Sequence, residues 1–109
     1  MMSLYAQYVA EKDGMSVLEK EHGFAVFRIQ SDTVYLRDIF VVVAKRKTHL
    51  AKEMADEIAE IGRRKGCKFM TGTVNPNLPS ATKSILVLAA YGMNLISANQ
   101  DVLLFGKEI

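Results

Sequence analysis

The stretch VVVAKRKTHLAKEM, residues 41–54, contains three consecutive cations, Lys45, Arg46 and Lys47, immediately before a segment with helical spacing. The helix dipole disfavours positive charge at the start of a helix. The first N–H groups of a helix have no partner within the helix, however, and they bind anions such as phosphate. The arrangement therefore predicts that an anion binds at this helix start.

Other reactive side chains have simpler structural interpretations. Glu19 and Glu21 could border a substrate cleft, but charged residues beside a turn are usually solvated. Tyr35 could position a substrate, although a half-buried packing tyrosine is the simpler interpretation, and His22 is most simply a turn residue. Cys67 has no partnered histidine in sequence reach, which favours a buried structural thiol over a nucleophile. No metal site is predicted.

Length and composition indicate one domain, residues 1–109, with a core of its own. The formal net charge of +2 is too small to argue for nucleic-acid binding. The longest apolar runs, IFVVVA and ILVLAAY, fall far short of the ~20 residues of a membrane-spanning helix, so no membrane partner is expected. A lone cysteine and the absence of a signal-peptide pattern make a cytoplasmic location the default expectation.

The N-terminal half predicts a short helix followed by an antiparallel meander. Apolar residues from Leu4 to Val9 recur at helical spacing, and Gly14 is expected to end the helix. Residues 15–43 predict three strands with turns at EHG and QSD. The third strand loses its alternation after Asp38, which is typical of a central strand buried on both faces.

The helix that follows has a clear core face. Thr48 is its predicted N-cap, and Leu50, Met54, Ile58 and Ile61 fall at helical spacing. Charged pairs at i, i+4 spacing occupy the opposite face. The pattern predicts an amphipathic helix packed against a sheet.

The C-terminal half predicts a strand at residues 67–74, a helix at residues 80–92 and a hairpin at residues 93–109. A strand, a helix and a strand in succession form a right-handed β-α-β unit with parallel strands. The predicted fold is therefore α+β, a mixed sheet in which an antiparallel meander is followed by a β-α-β unit and a hairpin, with helices on the sheet faces.

The segment DIFVVVAKRKTHLA resembles the signature of the GNAT superfamily of acyl-CoA-dependent N-acyltransferases, which is a central strand, a loop R/Q-x-x-G-x-G/A and a helix. Arg46 takes the first position of this loop, His49 that of the first glycine, and Ala51 that of the final Gly/Ala. The downstream strand and helix also fit, and the resemblance covers nearly all of the chain from Met15 onward. A GNAT-like fold is therefore expected for the mixed sheet.

The resemblance implies an N-acetyltransferase that uses acetyl-CoA as cosubstrate and acetylates a primary amine of a small molecule or peptide. In this family the pyrophosphate of coenzyme A lies against the loop and helix start, which would explain the cation cluster. Backbone groups of the central strand position and polarise the thioester. The implied cofactor-binding residues are Phe40, Val41, Val42, Arg46, Lys47, Thr48, His49, Leu50 and Ala51.

Acetyl transfer also needs a group that takes a proton from the amine. Asp38 is the best candidate, directly or through water, because it lies in an otherwise apolar strand and matches a position where relatives often carry a glutamate. Its parity predicts that it shares a face with Leu36 and Phe40. The alternative is that Asp38 only pairs with a basic neighbour, such as Arg37, on an adjacent strand.

Departures from the family pattern leave other functions open. His49 replaces a glycine, and Leu88 stands where many members carry the tyrosine that protonates the leaving thiolate, while Tyr91 is expected to point elsewhere on its helix. These departures motivate a second hypothesis beside the acetyltransferase, a catalytically degenerate GNAT fold that serves as a binding or regulatory module. A nucleic-acid-binding domain that uses the cation cluster and residues 63–68 is less favoured, because the helix between them is acidic. A homodimer would be in keeping with similar proteins.

Overall fold

The computed structural model describes residues 2–109, which form three α-helices and a six-stranded mixed sheet. The helices are α1 (Leu4–Asp13), α2 (Leu50–Arg64) and α3 (Ala81–Ala90). The strands are β1 (Ser16–Lys20), β2 (Gly23–Gln30), β3 (Thr33–Val41), β4 (Phe69–Val74), β5 (Asn94–Ala98) and β6 (Leu103–Glu108). The strand order is β1-β2-β3-β4-β6-β5, with β3 and β4 parallel and the other neighbours antiparallel. The predicted α+β fold, with its meander, β-α-β unit and C-terminal hairpin, is confirmed.

Local chemistry explains the ends of α1. The Ser3 hydroxyl accepts a hydrogen bond from the Ala6 N–H at 3.0 Å and so satisfies one of the free donors of the first turn. Gly14 adopts a left-handed conformation with φ of 65°, and its N–H donates to the Ala10 carbonyl. The predicted end of this helix at Gly14 is therefore confirmed.

The helix α2 has the predicted core face, with Met54 and Ile58 fully buried, but its predicted N-cap is wrong. The helix begins at Leu50 and its N-cap is His49, whose side chain makes no capping hydrogen bond. The hydroxyl of Thr48 donates to the Lys45 carbonyl at 2.6 Å and accepts from the Leu50 N–H at 3.3 Å. Thr48 thus stabilises the turn before the helix, and the N-cap lies one residue later than predicted. Among residues 2–109, no helix is long and apolar enough to cross a membrane.

The helices cover the two faces of the sheet unequally. The main core, which contains Met54, Ile58 and Met70, lies on the face covered by α2 and α3. A smaller cluster of Val9, Met15 and Val26 lies under α1 on the other face. The sheet therefore has two separate hydrophobic clusters, a small one on the α1 face and the main core on the α2/α3 face.

A β-bulge in β3 overturns two predictions about Asp38 and its surroundings. Leu36 pairs with Phe27 and Asp38 pairs with Val26, so Arg37 is the extra residue. Because a bulge shifts the side-chain alternation, Asp38 and Phe40 lie on the α1 face, whereas Leu36 packs in the core of the α2/α3 face. The end of β3 is also not buried on both faces, since Phe40 remains 43% exposed.

Candidate active site

The parallel strands β3 and β4 separate from each other partway along their length. Their pairing ends at Leu36 and Gly72, while β3 continues to Val41 and β4 to Val74. The bulge at Arg37 lies at the point of separation, and bulges bend and twist the strand that carries them. Beyond it the two strands no longer share ladder hydrogen bonds, so a V-shaped opening divides the sheet at their carboxyl ends.

This opening contains a cavity of about 410 Å³, called the splay cavity below. Asp38, Phe40 and Val41 line it from β3, while Lys83 and Leu88 line it from α3. Leu88 covers the closed end, because its methyl groups would lie 3.5 and 3.7 Å from a Cβ placed on Gly72. The splay cavity is therefore an open-ended slot with an apolar end wall.

A second cavity of about 430 Å³, called the loop cavity below, lies beside the start of α2. Lys45, Arg46, Lys47 and Lys83 all line it, and within residues 2–109 no acidic side chain contributes to its lining. A cavity with four cations and no counter-charge attracts an anion. The loop cavity and the splay cavity share Val41, Arg46, Ala51, Lys83 and Val87, so they form one continuous surface.

The loop that precedes α2 is a tight turn. A 3₁₀ turn at Val43–Lys45 follows β3, and Lys47 then adopts a left-handed conformation with φ of 66°. This conformation disfavours a residue with a Cβ by roughly 1–2 kcal/mol. The start of α2 borders the loop cavity through Thr48 and Ala51, and the helix dipole adds to the positive potential there.

Arg46 is held against the end of β3. Its Nε donates to the Val41 carbonyl at 2.9 Å, and its guanidinium lies 5.8 Å from the centre of the Phe40 ring. Phe40 in turn stacks with Phe24 at 5.4 Å. Arg46 therefore joins the loop to the strand and lines both cavities.

The structure brings most, but not all, of the predicted cofactor-binding residues to these cavities. Those that line one or both are Phe40, Val41, Arg46, Lys47, Thr48 and Ala51. Val42, His49 and Leu50 do not line them: the Val42 N–H donates to the His22 carbonyl, His49 is exposed, and Leu50 packs against the core.

Sequence reasoning missed Lys83 as a cavity residue. Lys83 lies in the first turn of the helix that follows β4, and the carboxyl ends of adjacent parallel strands meet at one edge of a sheet. The β-α-β prediction therefore already contained the signal that Lys83 would lie near the loop after β3.

Asp38 lies in the splay cavity on the α1 face, with a side chain that is 55% exposed. Arg37 Nε donates to Asp38 at 2.9 Å, and another nitrogen of Arg37 donates to Asp13 at 2.8 Å. The ion pair considered as an alternative does exist, although Arg37 belongs to the same strand. The hydrogen bond from Arg37 lowers the pKa of Asp13, and the pKa of Arg37 is raised in turn. Asp38 is thus held in one orientation beside the opening.

The weaker candidates lie outside both cavities. Glu19 accepts a hydrogen bond from Ser3 at 2.9 Å, and Glu21 and His22 occupy the exposed turn between β1 and β2. Cys67 is buried in the core, as predicted. Tyr35 shares a hydrogen bond of 2.9 Å with Thr73, which lines the splay cavity.

Tyr91 points away from the splay cavity, which confirms the prediction. Its hydroxyl donates to Asp56 at 2.7 Å and so connects α3 to α2. Burial and the hydrogen bond to Asp56 raise the pKa of the Tyr91 phenol, which keeps it protonated. No group of His, Cys, Asp and Glu side chains suited to hold a metal is present within residues 2–109.

The mixed sheet opens between two parallel strands beside a cationic helix start, an arrangement suited to an anion at the carboxyl ends of the strands. The sequence matches the model of the Acetyltransferase (GNAT) family over residues 3–82. The chain therefore belongs to the GNAT acetyltransferase family. No curated protein sequence matches it significantly.

Solved structures support the same fold. A GNAT-family protein from Desulfovibrio desulfuricans superposes with a TM-score of 0.75 at 12% identity, over 94% of this chain and 75% of that one. PaiA N-acetyltransferase from Thermoplasma acidophilum, in complex with coenzyme A, gives 0.75 at 12%, over 97% and 69%. A GNAT family acetyltransferase from Elizabethkingia anophelis with acetyl-CoA bound gives 0.71 at 14%, over 97% and 82%. At these identities the likeness establishes the fold alone.

Proposed function

We propose that this chain is an N-acetyltransferase that transfers an acetyl group from acetyl-CoA to a primary amine of a small molecule or peptide. The observation that carries the proposal is the continuity of the splay cavity with the cationic loop cavity. One end of this surface suits the phosphates of coenzyme A, and the other is a narrow slot for its thioester arm. Two family members of the same fold have been solved with coenzyme A or acetyl-CoA.

Acetyl-CoA, the donor of the acetyl group, would be held mostly by positive charges and by backbone groups. Lys45, Lys47 and Lys83 supply positive charge, and the start of α2 supplies N–H groups for the pyrophosphate. Gly72 leaves room at the closed end of the slot, where a Cβ would already be in van der Waals contact with Leu88. Beyond Leu36 the edge of β3 that faces β4 has no partner strand, so its N–H and C=O groups can pair with the amide groups of the donor arm.

The amine would approach from the α1 face, where Asp38 lies. In the transfer, the amine nitrogen attacks the thioester carbonyl carbon, the new C–N bond forms, the C–S bond breaks, and coenzyme A leaves. Asp38 would take the proton that the nitrogen loses, directly or through water. The ion pair with Arg37 orients the carboxylate for this task.

Titration with acetyl-CoA by calorimetry tests the donor site. We expect saturable binding by the wild-type protein and a loss of about tenfold or more in Arg46→Glu and in Lys83→Glu, because each reversal places an anion beside the phosphates. Lys68→Glu is the matched control, since this exposed lysine precedes β4 at the opposite end of the strand. The absence of binding by the wild-type protein, or equal binding by all three variants, would refute the proposal.

Asp38→Asn tests the chemical role. We expect kcat/KM with a responsive amine to fall by about a hundredfold, because an asparagine side chain cannot take the proton from the amine. Asp101→Asn, in the exposed loop between β5 and β6, is the control. If kcat/KM of Asp38→Asn equals that of Asp101→Asn, Asp38 has a structural role only.

The second candidate is a degenerate family member that binds acetyl-CoA without turnover. Leu88 favours it, because an apolar side chain occupies the end of the slot where a proton donor for the leaving thiolate would be useful. Tight binding of acetyl-CoA with no release of thiol across a broad panel of amines would support this candidate against the enzyme.

We also propose a homodimer formed through β5. All five residues of this edge strand are exposed, including Leu95 and Ile96, and none is charged, whereas the other edge strand, β1, carries Glu19 and Lys20. Natural edge strands are usually protected by charge, and an uncharged strand can pair with its own copy by twofold symmetry. Sedimentation should show a dimer that Ile96→Lys dissociates, and a wild-type protein that remains monomeric at high concentration would exclude it.

A further inference from the structure

The geometry points to a donor site that also takes acyl chains longer than acetyl, with the chain lying in an apolar groove between α2 and α3. This inference rests on the proposed function, because the chain must be carried by a coenzyme A thioester. The groove has a volume of about 260 Å³ and opens on the α2/α3 face of the sheet. Nothing in the acetyl transfer described above requires it.

Small residues create the groove, and buried apolar residues form its floor. Ala51, Ala55 and Ala90 line it from the two helices, so neither helix fills the space between them. The floor contains Leu36 and Met93, which are buried in the core. The groove is therefore a gap in the helix packing with a mostly apolar lining.

The polar residues at the groove have their polar atoms engaged elsewhere. Tyr91 donates its hydroxyl to Asp56 at 2.7 Å, and Lys52 binds the same carboxylate at 2.8 Å. The Thr48 hydroxyl donates to the Lys45 carbonyl. Each of these three side chains is thus already tied to a protein partner, and most of the groove surface offers no hydrogen bond to a ligand, whereas an alkyl chain would lose water and needs none.

The groove is continuous with the splay cavity at its closed end. Leu36, Ile39 and Leu88 line both. The thioester arm of coenzyme A would enter at the open end of the slot and bring its thioester toward this closed end. Because the slot ends there, a long acyl chain must turn out of it toward one of the two faces of the sheet. The α1 face presents the carboxylate of Asp38, which suits an amine, and the α2/α3 face presents the groove.

The size of the groove sets the expected chain. Taking about 30 Å³ for a group the size of a water molecule, the groove holds roughly nine such groups. This is comparable to an octanoyl chain. Octanoyl-CoA is therefore the appropriate probe, and acetyl-CoA is the reference that carries the same coenzyme.

The experiment compares the binding of octanoyl-CoA and acetyl-CoA to the full chain by calorimetry. We expect octanoyl-CoA to bind about tenfold more tightly or better, because its additional methylene groups leave water. Ala90→Phe should fill the groove and bring the two affinities together without weakening acetyl-CoA, since Ala90 is exposed and does not line the splay cavity. Ala89→Phe is the matched control, an exposed neighbour on α3 that lines neither cavity and should keep the preference.

The possible outcomes separate this inference from the function on which it rests. Equal binding of the two thioesters to the wild-type protein, or a preference that survives Ala90→Phe, would overturn the inference and leave the acetyltransferase proposal intact. Failure of both thioesters to bind would overturn the proposed function, and the inference with it.

Discussion

The helices α2 and α3 each follow one of the two parallel strands and pack on the same face of the sheet, yet they contribute differently. On α2, the apolar residues form one stripe, and Met54 and Ile58 are fully buried. On α3, seven of the ten residues are apolar, but Ala81 is its one buried residue and Leu86 is 64% exposed. Burial therefore follows the segregation of apolar residues to one face and not the total apolar content.

This difference separates stability from function. The buried stripe of α2 fixes the position of its N-terminal turn beside the loop cavity. The loosely packed α3 instead supplies walls of the cavities, through Lys83, Val87 and Leu88. Substitutions in α2 should therefore change the free energy of unfolding, and substitutions in α3 should change ligand binding and rate.

The largest expected effect on stability is that of Ile58→Ala. This side chain is fully buried in the core, and its truncation leaves a cavity that should cost about 2–5 kcal/mol of unfolding free energy. Ile85→Ala makes the same change on α3, where the side chain is half-buried, and should cost less. Denaturant unfolding of both variants measures the two losses of unfolding free energy. Equal losses would contradict the expected difference between α2 and α3.

On α3, Leu88→Tyr should change the rate of catalysis. A phenol at the closed end of the splay cavity could protonate the leaving thiolate, and such catalysis typically contributes 10²–10⁴-fold, so a gain in kcat of about tenfold is expected from an unoptimised position. Leu88→Phe supplies the ring without the hydroxyl. If the two variants have the same kcat with acetyl-CoA, proton donation to the thiolate does not limit the reaction.

The hydrogen bond between the two helices should make a smaller, pH-dependent contribution. The pKa of Asp56 is lowered from 3.8, first by the hydrogen bond from Lys52 and next by that from Tyr91. A lowered pKa in the folded state means that the stabilisation is present above pH 3.8 and is lost as the pH falls through the folded-state value.

Tyr91→Phe should therefore cost about 0.5–1 kcal/mol of unfolding free energy at neutral pH, a modest loss because Asp56 is half-exposed. The loss should shrink as the pH is lowered below 3.8. Tyr8→Phe, on the exposed face of α1, is the control. A loss that does not vary with pH would mean that packing of the ring, and not the bond to Asp56, connects the helices.

The sequence was sufficient to predict the fold because each element carries its own local signal. Gly14 ends α1 with a left-handed conformation, the α2 stripe repeats at helical spacing, and the turns of the meander contain polar residues and glycine. The parallel pairing of β3 and β4 follows from the helix between them. These features depend on neighbouring residues, which a sequence shows directly.

The candidate site was less predictable because it depends on contacts between distant residues. The bulge at Arg37 has no local signature, yet it moves Asp38 to the α1 face and separates β3 from β4. The inward turn of Arg46 depends on the Val41 carbonyl and the Phe40 ring. Alternation along a strand predicts which face a residue occupies only up to the first bulge.

The smallest expected effect is that of Leu86→Ala on α3. The side chain is 64% exposed and lies outside the core, so its truncation should change the unfolding free energy by less than about 0.5 kcal/mol. Denaturant unfolding at low and high protein concentration measures this value. A loss above about 1 kcal/mol that grows with protein concentration would show that the outer face of α3 is buried against a second copy. The difference in burial between α2 and α3 would then hold for the isolated chain but not for the assembled protein.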